Sequence, residues 1–211
     1  MDTIEITTLT KKFGENCVLN EVSLTCESGK IYGIVGYNGS GKSVLFKCIC
    51  GFLKPDSGKI VVNVDKKNTN FGVIIEEPAF IKNKNAYQNL KYLYMINNTV
   101  DKQYLYSVIR RVGLNPADNK KVGKFSLGMK QRLAIAQAIM ENPSILILDE
   151  PMNGLDKNGV KEIRRLLLSL KEEGKTILLA SHNKEDIEIL CDEVYEMDAG
   201  NIRAYNISSS Y

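Results

Sequence analysis

The sequence predicts an α/β fold: a core built on a parallel sheet, with an antiparallel β flank and an inserted α-helical subdomain. Three observations carry this. Over the second half of the chain, apolar β-branched runs alternate with helical patterning, as the sequence strand, crossover helix, strand requires. Two of those runs, Ile145-Leu146-Ile147-Leu148 and Ile177-Leu178-Leu179-Ala180, are continuously apolar, which suits central strands covered on both faces. A glycine-rich octet from Gly36 to Ser43 stands between a strand-like run and a helix-like one.

In chain order, strand patterning covers residues 4–8, 22–26, 31–35, 60–64, 71–75, 145–149, 176–181 and 193–198. Helical patterning covers 42–50, 86–96, 102–112, 127–140, 157–171 and 184–190. The early strands, joined by turns such as Pro55-Asp56-Ser57-Gly58, form the antiparallel flank. Between 76 and 142 three helical segments follow one another without a strand. The expected organisation is therefore one domain over 1–211, with 1–75 and 143–211 as core and flank and 76–142 as the helical subdomain. The polar Lys/Asn patches at 63–70 and 82–89 read as exposed loops.

Composition narrows the function classes. A net charge of +3, with both signs interleaved, leaves no basic stripe, so nucleic acid is not an expected partner. Cys17, Cys26, Cys48, Cys50 and Cys191 are odd in number and lack C-x-x-C spacing, which fits small core residues in a reducing compartment. The opening Met-Asp-Thr-Ile-Glu has neither a basic nor an apolar leader region, and no apolar run approaches the ~18–20 residues that span a bilayer. A cytoplasmic location is expected, and the Asn-x-Ser/Thr triplets at Asn38, Asn97 and Asn206 then have no glycosylation role.

The octet Gly36-Tyr37-Asn38-Gly39-Ser40-Gly41-Lys42-Ser43 fits G-x-x-x-x-G-K-[ST], the phosphate loop or Walker A pattern. Glycines at 36, 39 and 41 let successive backbone N–H groups point at closely spaced phosphate oxygens with no Cβ in the way. The helix beginning near Lys42 adds the positive end of its dipole, and Lys42 adds a point charge at the β and γ phosphates. Ser43 offers a hydroxyl to Mg²⁺. The core is thus expected to be that of a P-loop NTPase.

Downstream, the apolar strand 145–149 ends in Asp149 and Glu150, then Pro151. A buried strand delivers Asp149 rigidly to the metal, while Glu150 can polarise a water aimed at the γ phosphorus. Ser126 suits an N-cap for the helix at 127–140, and Gly128 leaves backbone N–H groups uncovered, giving a second helix terminus suited to an anion. His182, the only histidine, follows the apolar run at 176–180, from which it could reach a γ phosphate. Phe13, before Gly14, suits either a core position or a stacking surface.

With these elements in this order, the whole chain resembles the ATP-binding subunit of an ABC transporter. Phe125-Ser126-Leu127-Gly128-Met129 stands where that family has its LSGGQ signature. The form S-L-G-M-K-Q-R, together with Ile74-Ile75-Glu76-Glu77-Pro78-Ala79-Phe80, resembles the bacitracin and lantibiotic exporter subgroup. The resemblance implies Phe13 as the aromatic stacked on adenine, Asn153-Gly154-Leu155-Asp156 as the D-loop with Asp156 near nucleotide, and His182 as the switch histidine. Two positions depart from the broad pattern. Val44 replaces a Thr that donates to an α phosphate oxygen, and Glu76 stands where glutamine is usual, facing Mg²⁺.

The function implied is ATP binding and hydrolysis, with Glu150 and His182 catalytic and ATP and Mg²⁺ as cofactors, powering export of a peptide antibiotic, lantibiotic or drug. A second ATPase copy, whose Ser126 and Gly128 cover the ATP of the first, and an integral-membrane permease are the implied partners. The chain would then sit on the cytoplasmic face of the membrane through that permease, with residues 76–84 in the coupling surface. The alternatives are a soluble ABC ATPase that remodels a ribosome or DNA, and a sensor that binds ATP without turnover. The single cassette without sustained heptads opposes the first; Glu150 and His182 oppose the second.

Overall fold

The computed structural model describes residues 3–63, 71–76 and 79–205. The expected strand end at Val64, the polar patch from 64 to 70, Glu77 and Pro78 of the expected coupling surface, and the triplet at Asn206 lie outside the described residues. Nine strands and six α-helices follow in the order β1 (Thr3–Phe13), β2 (Asn16–Cys26), β3 (Ile31–Val35), α1 (Lys42–Ile49), β4 (Ser57–Asn63), β5 (Phe71–Ile74), α2 (Ala86–Tyr94), α3 (Lys102–Arg111), α4 (Leu127–Ile139), β6 (Ile145–Asp149), α5 (Lys157–Glu172), β7 (Thr176–Ala180), α6 (Lys184–Leu190), β8 (Glu193–Asp198) and β9 (Asn201–Ala204), counted among the described residues. A single 3₁₀ turn, Val122–Lys124, precedes α4.

The strands form two sheets. A six-stranded sheet runs β5-β6-β7-β3-β8-β9, parallel except for the antiparallel β8–β9 pair; the flank is a three-stranded antiparallel sheet, β2-β1-β4. The continuous apolar runs are its central strands, and their alternate residues feed two cores. Ile145, Ile147, Leu178 and Ala180 face the flank and α1, packing with Ile4, Leu9, Leu24, Phe46 and Ile34. Leu146, Leu148, Ile177 and Leu179 face the other way, toward Leu90, Leu105, Ile109, Leu133 and Leu167 of α2 to α5. The helices of 76–142 thus share one continuous core with the sheet.

β5 is held against α4 at unusually short range. A Cβ added at Gly72 would lie 2.1 Å from the Ala138 carbonyl oxygen and 2.4 Å from Leu146 Cδ2, so only glycine lets the strand and helix meet there.

Four differences from the expected elements have physical causes. β1 and β2 each extend to 11 residues, well beyond 4–8 and 22–26. Thr8 (φ 47°) and Glu21 (φ 50°) are left-handed and the pairing register shifts around them, which interrupts the alternation by which strands are recognised. Ser57 and Gly58 belong to β4, not to the turn before it. That turn is secured instead by Asp56, whose carboxylate accepts from the Lys12 amide at 2.6 Å. β9 was not expected, since its four residues are mostly exposed and its two apolar side chains, Ile202 and Ala204, include only one of any size.

Candidate functional site

The phosphate loop lies between β3 and α1, at the carboxyl ends of the parallel strands, where open α/β sheets bind ligands. Gly36 (φ 150°) and Gly41 (φ 110°) are in conformations that side chains avoid. They are also crowded: an added Cβ would come within 2.2 Å of the Met197 carbonyl oxygen at Gly36 and 2.8 Å of the Val18 carbonyl oxygen at Gly41. Ser40 is buried, with its hydroxyl lacking a hydrogen-bond partner, and its carbonyl accepts from the Gly200 amide at 3.1 Å.

Lys42 opens α1 and turns its ammonium back over the loop, where Nζ donates to the carbonyls of Gly36 at 2.8 Å and Tyr37 at 3.0 Å. Burial lowers its pKa, against the pull of Asp149 and Glu150, which raise it. Ser43 Oγ donates to Asp149 Oδ2 at 2.5 Å, so the loop and the end of β6 meet through one hydroxyl and one carboxylate.

Glu150 follows in a left-handed conformation (φ 51°) that swings its side chain off the strand direction, while its amide donates to the Ala180 carbonyl at 3.0 Å. Burial raises its pKa, and the neighbouring His182 opposes that rise. His182 Nε2 lies 3.1 Å from Glu150 Oε1. The approach is out of line for a hydrogen bond, leaving Oε1 buried without a hydrogen-bond partner.

Gly41, Lys42, Ser43, Asp149, Glu150 and His182 line a cavity of about 760 Å³ that also takes in Asn38, Gly39, Val44 and Glu76, while Gly36 and Ser40 are not part of its wall. Glu76, itself left-handed (φ 65°), pairs its carboxylate with Lys47 one turn along α1 from Ser43. Other expected residues stand apart. The Tyr37 side chain is 85% exposed, and Phe13 is 49% exposed at the end of β1 with Lys11 Nζ 5.3 Å above its ring. Ser126 caps α4 by accepting from the Met129 amide at 3.2 Å, and Asp156 caps α5 by accepting from the Gly159 amide at 2.8 Å. A Cβ at Gly128 would lie 2.8 Å from the Gly154 carbonyl oxygen, so the start of α4 packs directly on the loop before α5.

The cavity wall also contains Val18, which the sequence did not single out, and Ile74, Leu127, Lys130, Gln131, Asn153 and Gly154, which stand in the motifs above without a role of their own. Gln131 is the most telling. Its Nε2 donates to the carbonyls of Glu150 at 3.3 Å and Pro151 at 3.0 Å, tying α4 to the turn that carries the carboxylate. Its place one turn inside α4 was the available signal.

The fold has close counterparts among known proteins. Residues 19–153, well over half the chain, match the family described as ABC transporter. The chain belongs to the ABC transporter family. It is similar to the ABC transporter ATP-binding protein YybJ of Bacillus subtilis, with 44% identity over 94% of each chain. The lantibiotic transport ATP-binding protein SrtF of Streptococcus pyogenes is 38% identical over 94% of this chain and 88% of its own. The bacitracin transport ATP-binding protein BcrA of Enterococcus faecalis is 40% identical over 97% and 70%. Among solved structures, the ATP-binding subunit of an ABC transporter superposes with a TM-score of 0.86 at 25% identity, covering 97% of this chain and 90% of that one. The protein is accordingly an ATP-binding subunit of an ABC transporter, and an ATPase. No helix among the described residues is long and apolar enough to cross a membrane.

The ABC family also implies Mg²⁺, and the donor set was tested for it. Among the described residues no cluster of three or more His, Cys, Asp or Glu side chains could hold a metal alone. Mg²⁺ bound with a nucleotide needs no such cluster, because phosphates and water supply most of its octahedron. One carboxylate and one hydroxyl, Asp149 and Ser43, in contact at the mouth of the phosphate loop, fit that requirement.

Proposed function

We propose that this ABC ATPase powers the export of a peptide antibiotic of the bacitracin or lantibiotic kind, working as a pair of copies on a separate membrane permease. The names of SrtF and BcrA support the substrate class. ATP is the nucleotide: Lys42 and the amides of 36–43 hold its phosphates, and Phe13 stacks on the base. Mg²⁺, held by Ser43 and Asp149, would neutralise charge on the β and γ phosphates. Glu150 orients and deprotonates the attacking water, and His182 fixes Glu150 and reaches toward the γ phosphate. In the pair, Ser126 and Gly128 of one copy close over the nucleotide of the other, with Asp156 setting the loop beside them. The permease anchors the assembly at the cytoplasmic face, against a surface that includes Glu76.

The single observation that carries the hydrolytic assignment is the buried Oε1 of Glu150, which accepts no hydrogen bond, beside the cavity of Lys42, Ser43 and Asp149. An acceptor in that position is suited to a water proton. Glu150→Gln should bind ATP normally and lose turnover by a factor on the order of 10² to 10⁴. For the transport assignment, deleting the gene should sensitise its host to a peptide antibiotic, and a Lys42→Ala copy should fail to restore resistance. An unchanged resistance profile across bacitracin and lantibiotics would remove the export reading.

A further inference from the structure

A buried polar chain behind the His182 loop takes no part in the steps above. Arg164 on α5 and Asp186 on α6 have side chains only 8% and 1% exposed, and they form an ion pair. Arg164 Nε donates to Asp186 Oδ1 at 2.7 Å, and Nη2 lies 2.5 Å from the same oxygen. Nη2 also donates to Glu185 Oε2 at 3.0 Å. The other oxygen, Asp186 Oδ2, accepts from Ser181 Oγ at 2.9 Å. That same hydroxyl oxygen accepts the Asn183 amide at 3.1 Å.

Ser181 and Asn183 are the two chain neighbours of His182. Both sides of the His182 peptide unit are therefore tied to one buried hydroxyl, and that hydroxyl is tied to Asp186. The contacts of His182 itself run the opposite way, to Glu150. Stability alone is a poor reason for the ion pair, since taking two charges out of water costs several kcal/mol each and apolar replacements are often neutral or better. Fixing a geometry is a better one, because a fully bonded buried network permits few alternative arrangements.

We propose that Ser181, Asp186 and Arg164 are positioning residues for hydrolysis: they hold the His182 backbone where its imidazole meets Glu150. The inference rests on the assignment of Glu150 and His182 to hydrolysis. Its rival is a clip that merely joins α5 to α6, and Ser181 separates the two. Ser181→Ala deletes the link to the loop and leaves the Arg164–Asp186 pair intact.

The test is steady-state and single-turnover ATPase kinetics of the full chain, with thermal unfolding alongside. Ser181→Ala should lower kcat by on the order of tenfold to a hundredfold, the scale of a small misplacement, with ATP KM within about threefold and the unfolding midpoint lowered by only the few degrees that one lost hydrogen bond to a buried carboxylate accounts for. The apolar pair Arg164→Met with Asp186→Leu should fold and show a similar kcat loss. In a His182→Ala background, Ser181→Ala should cost nothing further, because the residue it positions is gone. Wild-type kcat in Ser181→Ala, or a loss that persists in full without His182, would overturn the proposal while leaving His182 in its role. Wild-type kcat in His182→Ala would overturn both assignments.

Discussion

His182 meets Glu150 twice: its backbone amide donates to Oε2 at 3.4 Å, and its Nε2 stands 3.1 Å from Oε1 without the alignment of a hydrogen bond. One oxygen of the carboxylate is thus oriented by the chain, and the other is left buried and available. The arrangement costs stability, because the charged carboxylate is held where burial disfavours it.

That cost has a pH signature. With its folded pKa raised above the unfolded value, Glu150 binds its proton more tightly in the native state, so its penalty is absent below the unfolded pKa and grows as pH rises through the folded one. Glu150→Gln should therefore raise the unfolding midpoint at neutral pH, by about 2–4 °C per kcal/mol relieved, and the gain should vanish below the ordinary carboxylate range. Calorimetry of both proteins from acid to neutral pH checks this; a gain that grows on acidification would contradict it.

Glu76 is charge-balanced by Lys47 at the rim of the cavity. Lys47→Met should leave a bare carboxylate facing the triphosphate and weaken ATP binding by about 1 kcal/mol, or roughly fivefold. Glu76→Gln should restore affinity in that background, since an amide needs no counter-ion. Neither change should move the unfolding midpoint much, because the pair is largely exposed. Equilibrium binding of ATP to the four proteins of this cycle measures the coupling, and additive effects would argue against charge balance.

The shared site predicts complementation between two dead copies. Lys42→Ala loses its own phosphate loop, and Ser126→Arg blocks the start of α4 by bulk. In a mixed pair the intact loop of one faces the intact α4 terminus of the other. ATPase activity should return to at most about a quarter of wild type under random pairing and independent sites. A silent mixture in which mixed dimers are shown to form would count against one independent shared site.

Phe13, exposed at the end of β1, offers a flat ring with the Lys11 ammonium over it. If it reads the base by stacking, ATP and GTP should bind within roughly tenfold of each other, and Phe13→Ala should weaken both alike, by about 1–3 kcal/mol. Fluorescence competition with both nucleotides decides it.

The parts of this molecule legible in the sequence were those where a local pattern and a buried environment agree. The runs at 145–148 and 177–180 are central strands because nothing but apolar contact is asked of their side chains, and 36–43 is a phosphate loop because its glycines have no other reason to recur at that spacing. Val18 had no signal of its own, and Gln131, though part of the signature run, showed no individual role, for the opposite reason. Val18 is one apolar residue in a strand whose alternation is broken, and Gln131 acts through hydrogen bonds to carbonyls, a role that any residue with an amide side chain could fill. The Lys47–Glu76 and Arg164–Asp186 pairs join separate elements, and pairing at such distances in sequence leaves no local trace.

The contact at Gly72 holds one end of α4 against the edge of the sheet. With no side chain between β5 and the Ala138 carbonyl, the far end of α4 is pinned to the sheet, while its first turn, about 20 Å away for 13 residues, carries Ser126. Were the helix to tilt about that contact as a fulcrum, about 5° would carry the first turn roughly 2 Å. Bulk at position 72 would shift the fulcrum itself, and so change the stroke at Ser126 without touching any residue that meets nucleotide.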